Sequence, residues 1–206
     1  MKLSTIAESN ILYPGDDLID SVLALVNPAP GGNFEDGMHF LGSADDNALP
    51  MYAVTSQFMA ANSIPQGATA AYMPHNKLSN QYAQLWGHLP QGLYLFPFFY
   101  RMPLPIKRKV IMHELVHYID PKVELVQHQE IKRDPWENEP EQDANLTPAV
   151  VEVVQRFKNG DQQVKDDILD DMRAGNVPKL AGGIPQRFYR RFLTKLFSAI
   201  RGDRAI

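Results

Sequence analysis

The chain contains no cysteine. That absence excludes disulfides, thiolate metal sites, iron–sulfur clusters and a cysteine nucleophile in one step. It is compatible with a reducing cytoplasm without requiring one. Long apolar runs are also missing. The nearest, Gly92 to Tyr100, is interrupted by Pro97 and is about half the ~18 residues that suggest a membrane span. Met1 to Glu8 holds one lysine but no apolar segment of the signal-peptide kind. A cytoplasmic location is the resulting expectation. Charge of one sign is not in excess: a formal net charge of −4 and an isoelectric point near 5.8 give no reason to expect nucleic acid or an anionic membrane as partner. Internal repeats and low-complexity segments are absent too.

What is present is an ordinary globular composition. With 206 residues, 44% hydrophobic and 21% charged, the chain is expected to form a single domain over 1–206. Residues 16–26 read as a short helix with an acidic first turn, and residues 31–50 as loop. Met51 to Met59 fits strand or helix equally. Thr69–Met73 and Gly92–Phe96 are short apolar runs bounded by Gly and Pro, the pattern of strands, with Pro97 holding the second at an edge or close to its end. A clear helix follows to about Ile119. Further helices are expected from Thr147, over 161–174 and over roughly 186–201, with a Gly/Pro loop over 175–185. Strands first and helices after suggest an α+β fold with a small, mostly antiparallel sheet.

His113-Glu114-Leu115-Val116-His117 is an H-E-x-x-H motif. Spacing of four puts both imidazoles on one helix face, one turn apart, where both reach a single ion. Zinc suits neutral imidazole, and a catalytic site needs three protein ligands plus an open position. Glu114 lies about 100° round the helix from His113, so it flanks the metal without ligating it and is placed as a general base. Val110, Ile111, Leu115, Val116 and Ile119 supply apolar surface that buries the helix. Lys107, Arg108 and Lys109 crowd its first turn, an unfavourable place for cations, explained at this level only by solvation. The competing reading is a chance match on a buried helix.

These residues resemble the zincin superfamily of zinc metallopeptidases. The resemblance implies a zincin-like domain, a Zn2+ cofactor, a polypeptide substrate, and a strand before the helix whose edge pairs with that substrate. Leu93–Phe96 is the candidate edge. The metzincin pattern fails, because Asp120 stands where its glycine would be and Val123 where its third histidine would be. The gluzincin branch takes a glutamate from a following helix within E-x-x-x-D. Glu139 and Asp143 match that spacing, which implies Glu139 as third ligand and Asp143 as hydrogen-bond partner of a ligand histidine. Glu137 is the leading substitute, and His128 a further one. Asp120 shares the histidine face and is expected either beside a ligand or as a helix-end residue. Lone His39, His75 and His88 are expected to be structural or exposed. Tyr189, Tyr118 and His128 are open candidates for oxyanion donor. The competing function is a zincin-like protein that binds metal or a partner without cleaving.

The segment 186–201 carries an apolar stripe from Phe188 to Ile200 and, on its other face, Arg187, Arg190, Arg191, Lys195 and Arg201. Such a helix docks on a core with its cations solvated, facing the aspartates of 161–171, or else makes a peripheral contact with a membrane or partner. Those aspartates lack the spacing and glycine of an EF-hand loop.

Overall fold

A computed structural model of the chain describes residues 13–26, 37–46, 48–74, 88–120 and 139–201, the last with side chains from 142. They form two compact units, one spanning Pro14–Glu141 and one built from Gln142 onward. The chain is α+β: a small mixed sheet lies in the first unit, and helices dominate elsewhere.

The first unit opens with helix α1, Asp16–Val26, whose Ile19, Val22, Leu23 and Val26 are buried at helical spacing. Strands β1 (Met38–Ala44) and β2 (Leu49–Val54) follow as an antiparallel hairpin. This corrects the loop expected over 31–50. Alternation is hidden in β1 because the register slips between Phe40 and Gly42, a bulge that turns part of the strand over. At the hairpin tip Asp45 and Asp46 both take positive φ, 51° and 50°, which Asp tolerates better than most residues. After helix α2, Ser56–Ala61, capped by the Thr55 hydroxyl accepting from the Phe58 amide, come β3 (Ala70–Met73) and β4 (Gly92–Leu95).

The strand order is β1-β2-β4-β3. β2 and β4 run parallel, while β3 and β4 are antiparallel. β4 is therefore an inner strand, and Pro97 stands beyond its end, opening the short helix α3, Pro97–Tyr100. The edge expected at Leu93–Phe96 falls instead on β3, because all four β4 residues are buried and Leu93, Tyr94 and Leu95 are paired on both sides. One sheet face carries Tyr52, Val54, Met73, Tyr94 and Phe96, packed with Met59 and Ile64. Phe40, Tyr52 and Tyr94 form a cross-strand aromatic ladder at 5.7 and 5.0 Å. By the two-residue period, Met51, Leu93 and Tyr72 point to the other face. Helix α4, Leu104–Ile119, lies there against β3 and α1.

The second unit is helical. Helix α5 runs Glu139–Asn159 with Pro148 inside it, beginning earlier than Thr147, and the unit takes it up from Gln142 onward. α6 (Gln162–Ala174) is capped by Asp161 at its start and by left-handed Gly175 at its end. A short helix α7, Val177–Leu180, occupies part of the expected Gly/Pro loop. A 3-10 turn, Gln186–Phe188, leads into α8, Tyr189–Ile200. Phe192, Leu196 and Ala199 of α8 are buried, so it docks on a core as a terminal helix does. Lys195, expected on the solvated face, is 1% exposed, and its ammonium lies 3.0 Å from Asp143 of α5. No described helix is long and apolar enough to cross a membrane.

Candidate functional site

Helix α4 positions the motif. Pro103 precedes its first turn and Pro105 lies within it, where a missing N–H costs nothing. Ile111, Met112, Leu115 and Val116 bury one side. The cations of the first turns, left unexplained above, have partners. Arg108 donates to Asp16 and Asp20 of α1, tying the two helices together. Lys107 is buried, with its ammonium 5.5 Å from the Phe99 ring centre and 5.9 Å from that of Tyr100.

His113 and His117 are half-buried one turn apart. Their rings are nearly perpendicular, at 80°, with centroids 4.9 Å apart. Their Nε2 atoms converge to 3.3 Å. Two ligands each about 2.0–2.1 Å from one zinc at a tetrahedral angle stand about 3.3–3.4 Å apart. The convergence therefore fits a shared ion, and it is long for a hydrogen bond between neutral rings. The donor chemistry and the spacing both suit zinc.

Glu114 is buried, 9% exposed, and its Oε2 accepts the Tyr72 amide N–H of β3 at 2.9 Å. Tyr72 pairs with Leu93 on one side, so the amide that reaches Glu114 points out of the sheet edge. One turn further on, Tyr118 stands edge-on to Tyr72, 5.5 Å between centroids, and donates its hydroxyl to Asp45 of the hairpin tip. Burial first, then the bond to Asp45, pushes the Tyr118 hydroxyl well above the ordinary tyrosine range. It is a protonated donor at neutral pH, with Asp45 as acceptor. The Tyr72 hydroxyl in turn accepts from Gln91. The backbone link from Glu114 to β3 was not legible in the sequence, since the partner is an amide 42 residues away.

Of the remaining expected residues, Asp120 is buried and ends α4, its N–H bonded to the Val116 carbonyl. It stands at the helix end, one of the two places expected of it. Glu139 is the first residue of α5, and its side chain lies outside the described residues, as do Glu137, His128 and His75 altogether. Asp143 accepts from Arg191 and Lys195 of α8, both at 3.0 Å. His39 and His88 are exposed, and His88 bonds Asn62. Among the described residues no group of three or more His, Asp or Glu side chains comes together around one point. No family model matches the chain, and neither a curated protein nor a solved structure matches it significantly.

Proposed function

We propose that the chain is a zinc-dependent metallopeptidase of zincin type, with His113 and His117 as two ligands, Glu139 as the third, and Glu114 as general base. The observation that carries this reading is the 3.3 Å convergence of the two Nε2 atoms on one helix face. When bound, zinc supplies Lewis acidity, which polarises a carbonyl and lets water act as a nucleophile near neutral pH. Glu114 accepts the proton of the attacking water and passes it to the leaving amine. Its hydrogen bond to Tyr72 fixes one carboxylate oxygen and leaves the other for that transfer. β3 is the edge strand beside Glu114; its outward Tyr72 amide is held by Glu114, and its remaining outward backbone groups pair with an extended polypeptide substrate. Substrate class and zincin fold are implied by the motif resemblance.

The test is elemental analysis and peptidase assay of wild type, Glu114→Gln and His117→Ala. About one zinc per chain is expected in wild type and in Glu114→Gln, with little in His117→Ala. Hydrolysis should fall about 100- to 10,000-fold in Glu114→Gln, which keeps an oxygen for the Tyr72 amide but cannot take a proton. Failure of wild type to take up added zinc would sink the proposal.

The Glu114–Tyr72 bond also favours a second reading, a metal-binding protein in which Glu114 staples α4 to β3 without acting as a base. In that case Glu114→Gln behaves as wild type in every assay, whereas Glu114→Ala loses stability.

A further inference from the structure

Glu114 and Tyr118 stand one turn apart on α4 and so share one helix face. Both reach the same residue of β3. The Glu114 carboxylate takes the Tyr72 amide at 2.9 Å, and the Tyr118 ring meets the Tyr72 ring edge-on, 5.5 Å between centroids. The edge strand is thus held to the motif helix at two points, one on its backbone and one on a side chain. The second point is itself anchored, because Tyr118 donates its hydroxyl to Asp45 at the tip of the β1–β2 hairpin. The far end of the Tyr72 side chain is fixed as well, its hydroxyl accepting from Gln91 at 3.1 Å.

This double hold answers a weakness of β3. The strand is four residues long, lies at the edge of the sheet and pairs with β4. Short edge segments are among the first parts of a fold to open. Yet the Tyr72 amide decides which way the Glu114 carboxylate faces, since the last torsion of a glutamate lies in a broad well that one hydrogen bond must narrow. A donor on a strand that drifts would leave the base turning with it.

The geometry points to Tyr118, anchored by Asp45, as a positioning residue for the general base. It keeps Tyr72 against α4, so that the Tyr72 amide holds one oxygen of Glu114 and the other stays turned toward the attacking water. The Tyr118 hydroxyl is engaged by Asp45, so the residue acts through Tyr72 and not on the substrate. The catalytic role rests on the metallopeptidase reading; the contacts that produce it do not.

The experiment compares full-length wild type with Tyr118→Phe, Asp45→Gly and Asp45→Asn, with and without added zinc. Tyr118→Phe keeps the ring and deletes the hydroxyl. Asp45 takes φ +51°, which glycine adopts without strain, so Asp45→Gly deletes the carboxylate and spares the turn. Hydrogen exchange at the Tyr72 amide, followed by NMR, reads the hold on β3 whether or not zinc binds. Peptidase kinetics reads its consequence. Tyr118→Phe and Asp45→Gly should each speed exchange at Tyr72 about tenfold, the effect of one hydrogen bond. Each should also lower kcat about tenfold, with KM and zinc content unchanged. Asp45→Asn keeps an acceptor oxygen and should return both readings close to wild type. Unchanged exchange at Tyr72 in Tyr118→Phe and Asp45→Gly would overturn the inference, whatever the peptidase assay gives. Faster exchange with wild-type kcat would overturn it too, leaving a contact that serves the fold alone. A wild type that neither takes up zinc nor cleaves would sink the metallopeptidase reading and the positioning role with it. Faster exchange in the two variants would then still identify Tyr118 as the residue that holds β3 on α4.

Discussion

Gly92 opens β4 at φ +153°, with the β2 backbone so near that a Cβ would stand 2.5 Å from the Pro50 carbonyl oxygen and 2.8 Å from Tyr52 Cε2. Two costs would fall on any side chain there: an unfavourable backbone conformation, and a clash with backbone that cannot swing away. Gly92→Ala should lose about 2–4 kcal/mol in urea denaturation. Gly182→Ala is the control, because nothing lies within 4 Å of its Cβ position and its φ is not positive. It should be neutral or slightly stabilising. Equal stability of the two variants would show that β2 and β4 do not approach this closely. At this scale the sequence was uneven. The convergence of His113 and His117 was legible because helical spacing alone puts two imidazoles on one face. The roles of Lys107 and Arg108 were not, since their partners lie on α3 and α1, and no local pattern announces a partner that far along the chain.

Among the elements, α5 and α8 show why a polar residue cannot be placed by face alone. Lys195 reads as part of a cationic stripe, yet it is 1% exposed with its ammonium 3.0 Å from Asp143, which is 4% exposed. The half-buried Arg191 donates to the same carboxylate and to Gln142. Removing one partner of a buried pair leaves the other charge desolvated, whereas replacing both by apolar groups of similar volume removes the penalty with the attraction. Asp143→Asn should therefore cost about 3–5 kcal/mol. Asp143→Leu/Lys195→Met should recover part of that loss, since Arg191 still gives up its carboxylate, as read from a double-mutant cycle with Asp143→Leu and Lys195→Met in denaturant. Additive losses would mean that the pair is not coupled. Element boundaries tell a related story. α1, α4, α6 and α8 were readable because apolar spacing, acidic starts or a C-terminal glycine mark them. α5 was read late because Thr147-Pro148 looks like a start, proline being favoured in a first turn. Pro148 is inside the helix instead, giving up one bond to the Ala144 carbonyl. β1 was missed because its bulge breaks the alternation that identifies a strand.

For the whole molecule, the α+β class followed from the order of strand-like and helical segments, but the sheet's mixed pairing did not. A parallel β2–β4 pair needs a crossover connection, and periodicity says nothing about which strands meet. The same limit applies to the proposed metal centre. The dyad comes from one helix, whereas the proposed third ligand, Glu139, opens α5, a separate segment. That assignment has a thermodynamic consequence. A ligand that binds only the folded chain stabilises it by RT ln(1 + [L]/Kd), about 4 kcal/mol when free zinc exceeds Kd a thousandfold. For a protein of this size that amounts to roughly 8–16 °C in melting temperature. Chelation should lower the wild-type melting temperature by about that much, and zinc should restore it. His117→Ala should melt at one temperature with or without zinc. Glu139→Gln separates the candidates: a zinc-induced shift much smaller than in wild type supports Glu139 as third ligand. A full shift in Glu139→Gln together with none in Glu137→Gln would move the ligand two residues along the chain. A wild-type melting temperature indifferent to zinc would leave the convergence of His113 and His117 as a contact between rings, with no metal chemistry attached to it.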